Sequence, residues 1–142
     1  MSTTVGYDDV EVGTRIPERE FRIRRSDLVR YCGVSGDFNT IHWNERAARD
    51  VGLPGVIAHG MYTMATAARL VTDWAGDPGA VVDYGVRFSS PVPVPDDDEG
   101  AAVVVSGVVA KKLDGNQVVV NLTVRCDGAK VLMASRATVR LT

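Results

Sequence analysis

The stretch from Met61 to Ala75 constrains this chain more than any other. Met, Ala, Thr, Leu and Val occur nearly all round it, and its charges are confined to Arg69 and Asp73. The residue types predict one long helix, which Gly76 and Pro78 terminate. A helix apolar on most faces is expected to be surrounded by protein. The small side chains of Ala65, Ala67 and Ala68 allow a sheet to come close.

The second half of the chain predicts that sheet. Val82, Tyr84, Val86 and Phe88 alternate with Val81, Asp83, Gly85 and Arg87, a period of two with one apolar face. Val103 to Ala110 reads as a more uniformly apolar strand. Val118, Val120, Leu122 and Val124 form the inner face of the next, with Asn121, Thr123 and Arg125 outward. Val131, Met133, Ser135, Ala137 and Val139 continue as another. Asp114-Gly115 and Asp127-Gly128 are hairpin turns, which makes the last three strands antiparallel. Thr14 to Ile23 is a candidate first strand, weakened by Pro17. The expected class is α+β, a curved antiparallel sheet wrapped around one long helix. The 142 residues suit a single domain, 1–142.

A chain of this size folds without disulfides or metal. It is 45% apolar and 24% charged, with a formal charge of −2, so it carries no basic footprint for nucleic acid. Cys32 and Cys126 are expected to be reduced and packed. Two imidazoles without ligand-like spacing, His42 and His59, predict no metal site. Met1 to Val10 lacks the basic start and apolar core of a signal peptide, and no run reaches the roughly 18 apolar residues of a membrane span. The expected location is the cytoplasm.

The front half is helical. Ser26 is the expected N-cap of a short helix with Leu28, Val29, Tyr31 and Cys32 on its apolar face, ended by Gly33. Asn44 caps a second, Glu45 to Val51. Between them, Gly36 to Trp43 follows neither period and reads as an ordered loop. Pro91 to Pro95 and the acidic run Asp96 to Glu99 read as a rigid connection and a solvated turn.

That loop carries the candidate chemistry. Proton transfer beside a carbonyl needs a base, an acid, and donors for the oxyanion that develops. Asp37 and His42 are a carboxyl and an imidazole five positions apart. A regular helix would splay them by about 140°, whereas a bent loop can bring both into one cavity. Asn39 can hydrogen-bond back to the loop and hold the bend. Gly60, at the start of the long helix, offers an amide where the helix dipole favours negative charge, and no side chain to keep a ligand away. Each residue also has a plainer reading: Asp37 as a turn residue, His42 as a packed imidazole, Gly60 as a helix-entry glycine. His59 is read as an imidazole satisfying local backbone.

Taken together, Tyr31-Cys32-Gly33-Val34-Ser35-Gly36-Asp37-Phe38-Asn39-Thr40-Ile41-His42-Trp43 resembles the motif YxxxSGDxNPIH of the MaoC-like, R-specific enoyl hydratases and dehydratases. Ile57-Ala58-His59-Gly60-Met61 is similar to that family's second signature, at the start of the central helix of its hot-dog fold. Within the family the likeness is nearest to the β subunit of actinobacterial (3R)-hydroxyacyl-ACP dehydratase. It is carried by Ile41-His42-Trp43, by Trp74 to Val81, and by Val86-Arg87-Phe88 with Pro91 to Pro95. The resemblance runs from about Val10 to Leu141, with Thr40 where proline is usual and Asn44 where the β subunit tends to have Asp.

The resemblance implies reversible dehydration of (3R)-hydroxyacyl thioesters to trans-2-enoyl thioesters, in type II fatty-acid elongation. It implies Asp37 and His42 as the catalytic pair. Gly60, through its amide, and Asn39, supporting the loop, are the oxyanion and substrate-binding residues. No cofactor is implied. The implied partners are acyl-CoA or acyl-ACP, acyl carrier protein, and a second hot-dog subunit in a homodimer or heterodimer. Two rivals share the fold. A thioesterase would place a carboxylate on the central helix, and Met61 to Thr72 has none. A non-catalytic acyl-binding subunit would lack the Asp–His pair.

Overall fold

The computed structural model describes residues 4–142; of the N-terminal stretch discussed above, Met1 to Thr3 lie outside the described residues. Strand β1 (Arg15–Ile23) is followed by α1 (Arg25–Ser35), α2 (Glu45–Asp50) and the long α3 (Gly60–Ala75). Strands β2 (Val81–Phe88), β3 (Ala101–Leu113), β4 (Gln117–Cys126) and β5 (Ala129–Arg140) complete the chain. They form one antiparallel sheet in the order β1-β3-β4-β5-β2. The helix α3 packs against β1, β2, β3 and β5, so the α+β hot-dog arrangement is the one present.

Alternation decides the strands that lie inside the sheet. Val118, Val120, Leu122 and Val124 on β4 are buried beside Val103, Val105 and Val109 on β3 and Val131, Ala137 and Val139 on β5. Both hairpins close as expected. Asp127 and Gly128 each have positive φ (49° and 77°), the type I′ geometry that matches strand twist. Pro17 is tolerated because β1 is an edge strand, with a bulge between Ile16 and Arg19.

Four local expectations are corrected. Helix α1 begins two residues early, after Arg24, and the Asp27 carboxylate accepts from the Arg24 N–H (2.8 Å), so Ser26 is not the cap. It ends at Gly36 (φ 75°), not Gly33. On β2, bulges at Val81/Asp83 and Gly85/Arg87 break the alternation. Val81, Tyr84 and Val86 therefore pack on the core while Val82 is 43% exposed. Finally, α3 is not enclosed all round. The sheet covers Thr63, Ala67, Leu70 and Val71, but Met61 (58% exposed) and Ala65 face outward.

Candidate active site

The site is built where the loop after α1 meets the first turn of α3. Gly36 in the left-handed region ends α1 and turns the chain. From there, side chains hold the backbone at alternate positions. Ser35 Oγ accepts from the Asp37 N–H (3.1 Å), Asp37 Oδ1 from the Asn39 N–H (3.1 Å), and Asn39 Oδ1 from the Ile41 N–H (3.3 Å). The Trp43 indole donates to the Phe38 carbonyl (3.0 Å), and Thr40–His42 closes as a 3-10 turn with Asn39 as its cap. Thr40 sits at the first position of that turn, where an amide has no intrahelical acceptor, so the missing proline costs no hydrogen bond. Asn44 caps α2 as expected, accepting from the Ala47 N–H (3.0 Å).

These bonds leave Asp37 Oδ2 directed at His42, 3.9 Å from Nε2. His42 is buried, whereas the Asp37 side chain is 52% exposed. His42 Nδ1 lies 2.8 Å from the Ile57 carbonyl oxygen. A carbonyl can only accept, so Nδ1 carries a proton and Nε2 is the nitrogen that exchanges one.

A cavity of about 270 Å³ opens beside His42, lined by Ile57, Gly60, Phe88, Pro91, Val131 and Leu132 among others. Gly60 is the first residue of α3, which has no side-chain cap, and its N–H meets no protein acceptor among the described residues. A Cβ on Gly60 would stand 3.0 Å from the Phe88 ring, so only glycine leaves this wall open. Asn39 does not line the cavity; its side chain is spent on the loop.

The sequence reading missed most of the wall. Phe88, which its alternation places on the apolar face of β2, is instead 52% exposed at the cavity rim. Pro91 to Pro95 is more than a connection. Val92 and Val94 are buried, the Val92 carbonyl accepts from the Ala58 N–H (2.9 Å), and the Val94 N–H donates to the Val56 carbonyl (2.9 Å). The alternation Pro-Val-Pro-Val-Pro is itself a period of two, the signal of a strand-like edge. Behind it, the Arg25 guanidinium bonds both the Val94 carbonyl and Glu45, tying α1, α2 and this wall together.

The atoms of Asp37, His42 and His59 that could hold a metal lie within 4.8 Å of one another. The two rings are stacked, however, with centroids 3.8 Å apart and planes 23° apart. Imidazole lone pairs lie in the ring plane, so they do not converge on one ion about 2.0–2.1 Å from each nitrogen. His59 is held neutral, its proton affinity lowered first by burial.

A family model described as "MaoC like domain" matches residues 10–127. The chain is 47% identical over 79 residues to 3-hydroxyacyl-thioester dehydratase X of Mycobacterium tuberculosis, covering 56% of this chain and 27% of that protein. A solved structure titled "MaoC-like dehydratase" superposes with a TM-score of 0.92 at 43% identity, over 98% of this chain and 43% of that one. The unliganded R-hydratase PhaJ1 from Pseudomonas aeruginosa superposes with a TM-score of 0.83 at 27% identity, over 97% of this chain and 86% of that one. The chain thus spans about a quarter of the length of the mycobacterial relative.

Proposed function

Because the chain belongs to the MaoC like domain family, we propose that it interconverts (3R)-hydroxyacyl and trans-2-enoyl thioesters, with Asp37 and His42 as its acid–base pair. The observation that supports this most is the 3.9 Å between Asp37 Oδ2 and His42 Nε2 beside a cavity walled by Gly60. That gap is too long for a direct hydrogen bond but suits a shared water. An oxygen about 2.8 Å from each atom would subtend about 90°.

In the hydration direction Asp37 takes a proton from that water as its oxygen attacks C3. The electron pair moves through C2 onto the thioester oxygen, which the Gly60 amide stabilises. C2 then receives the proton that Asp37 took, relayed through His42 Nε2 or off the attacking oxygen, so both groups end as they began. Dehydration reverses each step. The thioester itself acidifies C2, so the reaction calls for no cofactor. Asn39 supports the pair through the loop. The carrier is CoA or acyl carrier protein, and fatty-acid elongation in the cytoplasm is the setting that fits.

The exposed face of α3 at Met61 and Ala65, with the edge strand β2 and its exposed Val82 and Phe88, supports pairing with a second hot-dog domain, a related subunit or a second copy. Size-exclusion chromatography of this chain, alone and with a candidate partner, tests the pairing; an active monomer refutes it.

The thioesterase alternative is poorly supported, because the one carboxylate of α3, Asp73, lies at its far end and pairs with Arg19. The direct test follows loss of enoyl absorbance with crotonyl-CoA. Asp37→Asn should lower the hydration rate by about 10²–10⁴. Unchanged hydration by that variant refutes the acid–base assignment, and release of free CoA favours the thioesterase.

A further inference from the structure

His59 is 1% exposed and belongs to neither the pair nor the cavity wall, yet it touches both members of the pair. Its Nε2 lies 3.1 Å from the Asp37 carbonyl oxygen and 3.6 Å from Cys32 Sγ. Its ring stacks on His42, and the edge of Tyr31 meets it at 4.7 Å. It is the N-cap residue of α3, next to Gly60, and its carbonyl accepts from the Thr63 N–H (3.1 Å). The titratable groups facing it are therefore Tyr31 and Cys32 on α1 and Asp37 and His42 in the loop.

We propose that His59 is a positioning residue for the reaction, holding the Asp37 backbone through Nε2–H and the His42 imidazole through ring stacking. The inference rests on the reading of Asp37 and His42 as the acid–base pair. The carbonyl of Asp37 accepts only, so the proton of His59 is on Nε2. Its Nδ1 is buried with no partner, which a bare lone pair tolerates better than an N–H would. A neutral ring in this tautomer therefore fits the pocket, and it fixes two otherwise independent contacts at once. The Asp37 side chain is half exposed and no direct bond bridges the Asp37–His42 gap, so their separation depends on how the loop backbone and the His42 ring are seated, and His59 bears on both. A displacement near 1 Å at a reacting group can cost about 10²-fold in rate.

The test compares His59→Leu with His59→Gln in the full chain, with its partner subunit if one is required. Glutamine places an N–H donor at the reach of Nε2; leucine fills the space without one. Expected is a 10- to 100-fold fall in kcat for His59→Leu with KM within about threefold, and recovery of most of that loss in His59→Gln. Equal kcat for leucine and wild type, or equal losses for both variants, would overturn the inference. A ¹⁵N-histidine spectrum of the wild-type protein adds a readout independent of the variants' folding. It should show His59 neutral and protonated on Nε2 near pH 7; a proton on Nδ1 would overturn the proposal. Asp37→Asn run alongside separates the two claims. A large loss there with none in His59→Leu sinks only the positioning role, whereas no loss in Asp37→Asn sinks the acid–base reading on which it stands.

Discussion

The loop from Ser35 to Trp43 and the strand β4 are nearly equal in length and held by opposite means. In the loop only His42 is buried, and the backbone is fixed by side chains bonding two residues ahead. In β4 every second side chain from Val118 to Cys126 is buried, and backbone ladders run along both edges. The strand therefore carries stability and almost no chemistry, while the loop carries the candidate chemistry on a few bonds of about 1 kcal/mol each. Changes in β4 should move the denaturation midpoint and leave turnover alone; changes in the loop should act mainly on turnover.

The largest effect on that contrast comes from the strand. Val120→Ala removes two buried methyl groups from the core and should lower stability by about 2 kcal/mol, read from the urea midpoint. The folded fraction should keep its kcat. A kcat that falls in step with stability would show that the sheet tunes the site, and the contrast would fail.

The loop offers the complementary change. Asn39→Ala removes the cap of the Thr40–His42 turn and should cost about 0.5–1 kcal/mol of stability. Its effect on turnover should be larger in proportion, about tenfold in kcat, because Asp37 and His42 sit on either side of it. Asn39→Asp keeps the acceptor and should retain more of the rate. Equal rates for wild type and Asn39→Ala would mean that the other loop bonds suffice.

The same division explains what was legible in the sequence. Burial follows simple periods, so β4 and the long α3 could be read from their residues, while Pro17 weakens a reading of β1 that only its edge position rescues. Periods fail where a bulge adds a residue, and Val82 was misplaced on β2 for that reason. They also fail at ends: Gly33 reads as the stop of α1, whereas the backbone runs on to Gly36, where φ reaches 75°. In the site, Asp37, Asn39, His42 and Gly60 stood out through residue type and motif. The cavity wall did not, because Phe88, Pro91 and Leu132 come together only through the pairing of β2 with β5 and the folding of 91–95 onto 56–58. The stacking of His59 on His42 is likewise a contact between segments that no spacing announces.

The smallest effect separates the two regions by pH. His59, inside the site, has its proton affinity lowered from an ordinary value of 6.5, chiefly by burial. Glu45, in the bracket behind the wall, is lowered from 4.5, chiefly by its hydrogen bond from Arg25. In both cases the unfolded chain binds the proton more tightly than the folded one. Stability from His59 is then complete above about pH 6.5 and is lost as pH falls through its lower folded value. Stability from Glu45 is complete above about pH 4.5 and is lost as pH falls through its own. Thermal midpoints measured from pH 7.5 downward should therefore show a first decline that His59→Gln removes and a second, more acidic one that Glu45→Gln removes. Because Glu45 braces the wall rather than the reacting groups, Glu45→Gln should leave kcat unchanged at pH 7. If the first decline survives in His59→Gln, the buried imidazole is not its source, and the loop is coupled to the rest of the fold by some other titrating contact.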